Sequence, residues 1–258
     1  MFAIGNDIVD LQIPENRGKS RDRRFRARVF TAQEEERIDC SPYPDATLWA
    51  LWAAKEAAFK AAVKIDPALT FRPREYAVAF RGPGGMSGSL GGDCCGNPSL
   101  SPGAWLGKQG KGRGEPRLPG VKTSGGEEES VAAGGAVMTP AGEMAAVFSW
   151  SPLRIHCLVL GKRRAGHRAA GQTVYWQAER HAGPCDPSLA VRRAVVQRLT
   201  ASLPVPPHHL TIHRDRTPLG TKGPPRIFLA GHPTAIDLSL SHDGCYTAFA
   251  LMMAPAGR

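Results

Sequence analysis

The run from Asp45 to Lys64, DATLWALWAAKEAAFKAAVK, holds neither glycine nor proline and consists almost wholly of good helix formers. It predicts one long helix around which the rest of the chain has to pack. Pro44 ends what precedes it, Asp45 is placed to cap the first turn, and Lys60 and Lys64 sit near the carbonyl end, where positive charge is favoured. Leu48, Trp52, Phe59 and Val63 recur at near-helical spacing and predict the core stripe. Trp49, Ala53, Glu56 and Lys60 form a row beside it. Glu56 is flanked by Trp49, Trp52 and Ala53, so its carboxyl is expected to be partly desolvated and to want a cation.

The 258 residues suffice for one large domain or two small ones. The six cysteines make no C-x₂-C pair, which predicts neither a zinc site nor a disulfide framework and favours a reduced, cytoplasmic location. Met1-Phe2-Ala3-Ile4 runs into Asp7 and Asp10 without a basic flank or a long apolar stretch, so no signal peptide and no membrane span are expected. The net charge of +10 points to an acidic or polyanionic partner without choosing among nucleic acid, a phosphate-rich small molecule and an acidic protein.

Along the chain, Phe2 to Leu11 reads as a strand, with Gly5 allowing close approach of another group beside Asp7. A basic run from Arg17 to Arg28 follows, carrying one aromatic, Phe25. Thr31 and Glu34 form a capping box opening a short helix. After the long helix, Leu69 to Phe71 and Glu75 to Phe80 look like strand. Residues 82–142 hold 18 of the 29 glycines and no periodic apolar pattern, and are read as a Gly-rich flexible insertion. Strands are expected again at Ala145–Trp150, Arg154–Leu160 and Gly171–Trp176, then a helix capped by Ser188, then three strands at His209–His213, Arg226–Leu229 and Ile236–Leu240. Asp243-Gly244 reads as a hairpin turn, with Ser241 and His242 ending the incoming strand.

Asp7 on a strand and Glu56 on a helix could share a Mg²⁺ ion, which accepts one or two carboxylates and fills its other sites with water and phosphate oxygens. Lys60, one turn on, would reach the same phosphates. The ordered set Gly5-x-Asp7-Ile8-Val9-Asp10, Phe30-Thr31-x-x-Glu34, Trp52-Ala53-x-Lys55-Glu56-Ala57-x-x-Lys60 and Leu240-Ser241-His242-Asp243 resembles the 4′-phosphopantetheinyl transferase superfamily, in the order of its holo-acyl-carrier-protein synthase branch. The resemblance touches roughly residues 1–80 and 209–253. It implies an α+β fold of the 4′-phosphopantetheinyl transferase type and transfer of the phosphopantetheine arm of coenzyme A to a serine of an apo carrier protein, with adenosine 3′,5′-bisphosphate leaving. Carried over residue by residue, it makes Asp7 and Glu56 the metal carboxylates and Lys60 a phosphate contact, and places Ser241 and His242 on the coenzyme A phosphates. Glu56, or a water on the metal, would take the proton of the attacking serine.

Val9 stands where the larger, surfactin-synthetase-activating branch carries a second acid, so a two-carboxylate site is expected. The small branch is about half this length and trimeric. The chain is therefore read as a monomeric pseudodimer: residues 1–81 form an N-terminal half with the metal strand and the Lys-Glu helix, 82–142 the insertion, and 143–258 a C-terminal half with the Ser-His hairpin. Carriers of fatty-acid, polyketide or peptide synthases are the implied partners. They are typically acidic around the modified serine, and Arg21, Arg24 and Arg28 are the expected docking residues. The rival readings are a carrier-binding subunit of the same fold that no longer transfers, and a basic nucleic-acid-binding protein using Arg17 to Arg28. The intact Asp7, Glu56 and Lys60 oppose the first, and the shortness of the run with its single aromatic opposes the second, so no nucleic acid is expected.

Overall fold

In the computed structural model the long helix spans Pro44–Ile65, with Pro44 in its first turn. The structure describes residues 2–81, 121–123, 130–162, 173–181, 185–216 and 222–253. The capping residue differs from expectation. Tyr43 occupies the N-cap position, while the Asp45 carboxylate accepts hydrogen bonds from the Gly18 and Ser20 N–H groups at 2.6 and 2.8 Å. Asp45 therefore ties the basic run to the helix instead of closing the helix itself.

Three α-helices lie in the first 65 residues: α1 (Arg23–Val29), α2 (Ala32–Asp39) and α3 (Pro44–Ile65). The Thr31–Glu34 capping box opens α2 as the sequence indicated. The core-facing stripe of α3 is not the one its large residues suggest. Leu48 is buried, but Trp52, Phe59 and Val63 are half-buried, and the deep face is Ala50, Ala53, Ala54, Ala57, Ala58, Ala61 and Ala62. Small side chains let the helix lie close on its sheet. At Gly5 the approach is so tight that a Cβ would overlap the Ala57 carbonyl.

The first sheet has strand order β1-β6-β5-β4-β2, comprising β1 (Phe2–Asp10), β2 (Ala77–Arg81), β4 (Ser130–Thr139), β5 (Gly142–Trp150) and β6 (Arg154–Lys162). All its pairings are antiparallel. The second has order β3-β7-β11-β10-β9-β8, with β3 (Val121–Thr123), β7 (Thr173–Arg180), β8 (Leu210–Arg216), β9 (Lys222–Leu229), β10 (His232–Asp243) and β11 (Tyr246–Met253). It is antiparallel apart from β3, which runs parallel to β7. Helix α4 (Pro187–Ser202) lies on its outer face, where Val191, Val195 and Leu199 meet Leu238, Leu240, Phe249 and Leu251. Asp186, not Ser188, caps α4 through the Ser188 and Leu189 N–H groups.

Alternation along β1 separates its two faces. Ala3 and Val9 join the α3 core, while Ile4 and Ile8 face the second sheet against Trp176, Ala250, Tyr246 and Ala248. The order of layers is helix, sheet, sheet, helix, the α+β architecture of two halves that the resemblance implies. The sheets do not follow the boundaries drawn at 81 and 143, however. Strands β5 and β6 complete the first sheet although they belong, from residue 143 on, to the expected C-terminal half, and β3 and β4 fall inside 82–142. Apolar alternation identifies a strand but is silent on which sheet takes it. The rest of the expected insertion, including Cys94 and Cys95, lies outside the described residues. No strand forms at Leu69–Phe71, and a 3₁₀ turn occupies Pro73–Glu75. Among the described residues no helix is long and apolar enough to cross a membrane.

The contact at Gly5 gives a direct test. Gly5→Ala should cost about 3 kcal/mol or more, since the colliding atoms are helix and strand backbone that cannot yield as a side chain would. Urea denaturation of variant and wild type measures it.

Candidate active site

Three side chains of α3 line up along β1. Glu56, Lys60 and Lys64 stand one turn apart on the helix, and β1 runs alongside. Lys64 Nζ donates to the Ile4 carbonyl and Asp237 Oδ1, both at 2.7 Å, and Lys60 Nζ to the Asn6 carbonyl at 3.0 Å and Asp7 Oδ1 at 2.7 Å. The next place in this row is an acid, Glu56.

Asp7 is 8% exposed, and its Oδ1 also accepts from Ser241 Oγ at 2.8 Å. Glu56 is half-buried, and no donor among the described residues reaches its carboxyl within contact distance. Burial and the neighbouring Asp7 charge push its pKa up to about 7, against the opposing pull of Lys60. A buried carboxyl beside a second carboxylate, with no cation touching it, suits a hard divalent ion with oxygen ligands. Asp7 and Glu56 could hold one as a two-carboxylate set. Among the described residues no cluster of three or more His, Cys, Asp or Glu side chains suited to a metal is assembled.

The structure brings Asp7, Glu56, Lys60 and Ser241 together and leaves His242 apart. Neighbours on a strand point to opposite faces. Ser241 faces β1, whereas His242 lies on the α4 side of β10, paired with Thr247, and is exposed.

Arg21, Arg24 and Arg28 are all exposed, and none has an ion-pair partner within contact distance among the described residues. Within the same basic run Arg26 is different: both its terminal nitrogens reach the Asp39 carboxylate, at 2.7 and 2.8 Å. Phe25 joins α1 to α3, packing on Trp49 and Trp52 at ring distances of 6.0 and 5.7 Å. Trp52 precedes Glu56 by one turn, so Phe25 links α1 to the helix that carries Glu56. Of the three exposed arginines, Arg21 lines a groove of about 380 Å³ together with Leu11, Arg17, Tyr43 and Ala46.

Lys55, a motif residue left without a role in the sequence, has a structural one, and Glu34 has a second beyond its capping box. Lys55 is fully buried, with Nζ 2.8 Å from Glu34 Oε2 and hydrogen bonds to the Pro73 and Tyr76 carbonyls. Glu34 in turn accepts from the N–H groups of Thr31 and Val78. This buried pair locks α2, α3 and the entry to β2 together, so the Lys55-Glu56 dipeptide serves the fold with one residue and the site with the next.

Residues 3–83, which hold β1, α1 to α3 and β2, match the family model described as the 4′-phosphopantetheinyl transferase superfamily. A stretch of 61 residues is 39% identical to a holo-[acyl-carrier-protein] synthase of Jannaschia sp. (strain CCS1), covering 24% of this chain and 41% of that protein. The chain thus spans about two fifths of the curated relative it matches. The superfamily resemblance read from the motifs is borne out over the segment that carries Asp7, Glu56 and Lys60. Ser241 and His242 lie outside it.

The raised Glu56 pKa fixes the sign of a pH dependence. The protonated form is favoured in the folded state, so its stabilising contribution is complete below about 4.5 and is lost as pH rises through about 7. Metal-free wild type should therefore lose stability relative to Glu56→Gln between these values and hold a constant gap above them. Urea midpoints measured from pH 4.5 to 8 check this.

Proposed function

We propose that this protein transfers the 4′-phosphopantetheine group of coenzyme A to a serine hydroxyl of an apo acyl or peptidyl carrier protein, with Mg²⁺ bound by Asp7 and Glu56. The observation that carries this reading is the meeting of Asp7 with Glu56 and Lys60, two elements of one superfamily-matched segment, around a carboxyl whose pKa is shifted to about 7.

Glu56 accepts the proton of the attacking serine, and its pKa of about 7 is that of the metal-free carboxyl. As that proton leaves, the serine oxygen forms a bond to the phosphorus that carries pantetheine. The bond from that phosphorus to the bridging oxygen breaks, and adenosine 3′,5′-bisphosphate departs with the electron pair. The Lys60 ammonium has three protons, of which two are engaged by Asn6 and Asp7; the third is free for a phosphate oxygen, where it offsets the charge that develops. Bound Mg²⁺ supplies Lewis-acid polarisation of the pyrophosphate. Exposed Arg21, Arg24 and Arg28 offer an acidic carrier protein a positive surface.

Two experiments test the reading. Asp7→Ala and Glu56→Ala should each lower transfer by a factor of a thousand or more, about 4 kcal/mol of transition-state stabilisation. Mass spectrometry of apo carrier proteins incubated with coenzyme A and Mg²⁺ reads this directly, and near-normal turnover by either variant would refute the assignment. Charge reversal at Arg21, Arg24 and Arg28 together should raise the KM for carrier protein about tenfold at low salt, with less effect at high salt and with the KM for coenzyme A unmoved. Equal weakening toward both substrates would place these arginines on coenzyme A instead.

A further inference from the structure

We infer that Ser241, delivered by the second sheet, is a positioning residue that fixes the Asp7 carboxylate for the metal and does not contact coenzyme A. The inference rests on the metal reading given under Proposed function and assigns that site a residue from the other half of the chain.

A serine hydroxyl has one proton to donate and two lone pairs to accept with. In this structure Ser241 Oγ accepts from the Ile8 N–H at 3.1 Å and donates to Asp7 Oδ1 at 2.8 Å. The backbone N–H fixes one lone pair, and the single proton points at Asp7. With that proton engaged, Ser241 has nothing to donate to a fully ionised phosphate oxygen unless it releases Asp7. It is also buried, at 6% exposure.

The consequence for Asp7 is geometric. Its Oδ1 receives both Ser241 and Lys60, from opposite sides of β1, while Oδ2 receives no donor among the described residues. One oxygen is held and the other is left to an incoming cation. Three neighbours on β10 make the same backbone contact as Ser241: Asp237 at Ile4, Ser239 at Asn6 and Asp243 at Asp10. Of the four, Ser241 is the one that also reaches the Asp7 carboxylate, which separates its role from that of holding the sheets together.

The test uses the whole chain, freed of metal, and reads Mn²⁺ binding by electron paramagnetic resonance. Ser241→Ala should weaken Mn²⁺ about tenfold or more, in the range expected when a group that orients a metal ligand is lost. Ser241→Thr, which keeps the hydroxyl, should restore it. With metal saturating, the KM for coenzyme A should be unchanged in both. In an Asp7→Asn background the Ser241→Ala change should cost no further Mn²⁺ affinity. If Ser241→Ala fails to fold, Ser241→Cys, similar in size but a weak donor, carries the same comparison. Wild-type Mn²⁺ affinity in Ser241→Ala, or an effect confined to the KM for coenzyme A, overturns the inference while leaving the metal assignment standing. Undiminished Mn²⁺ binding by Asp7→Asn and Glu56→Gln overturns both.

Discussion

The outer edge of β1 holds the two halves in one structure. An edge strand presents a row of backbone groups that must find partners when they are buried. In β1 the outward N–H groups of Ile4, Asn6, Ile8 and Asp10 are met by the side chains of Asp237, Ser239, Ser241 and Asp243 at 2.7 to 3.1 Å. Each partner is 233 residues away, so β10 tracks β1 rung by rung with side chains where a neighbouring strand would offer carbonyls. Hydrogen bonds of this kind contribute about 1 kcal/mol each, but a buried N–H left without one costs more, so the register of the sheets is strongly specified. Lys64 fastens the same joint from the helix side through Ile4, Asp237 and the Leu238 carbonyl.

Local signals were the legible ones. The Thr31 capping box, the helix read over Asp45 to Lys64 and the β1 strand each follow from residues a few places apart, and each forms; the hairpin expected at Asp243-Gly244 forms with Gly244-Cys245 as its turn. What failed depends on distant parts of the chain. The large residues of α3 promise a core stripe, yet the sheet is approached through alanines because Gly5 lets β1 come close. The helix's bulky flank instead packs on Phe25, Phe71 and Tyr76, in an aromatic cluster outside the sheet. Strands β4 to β6 cross the sequence boundary between halves because pairing partners are chosen in space.

For the candidate site the division is similar. Asp7, Glu56 and Lys60 were visible as motif residues, and the structure joins them through the β1–α3 contact. The link from Ser241 to Asp7 had no signal in the sequence beyond proximity to the hairpin motif, because it spans 234 positions. Strand alternation alone could have separated Ser241 from His242. The Lys55–Glu34 pair shows the reverse case, a motif lysine beside a reactive-looking acid whose work is to bind three elements together.

A chain is made from its N-terminal end, and the joint at β1 therefore has a history. β1 is made before its partners: its inner edge waits for β6 and its outer edge for β10, 233 residues later. At about 5 to 20 residues per second that interval is on the order of tens of seconds. Until β7 and β11 are made, the face that carries Ile4 and Ile8 has no complete second sheet to cover it. Asp7 and Glu56 are thus made long before Ser241, so a fragment ending before β10 lacks the hydroxyl that holds the Asp7 carboxylate.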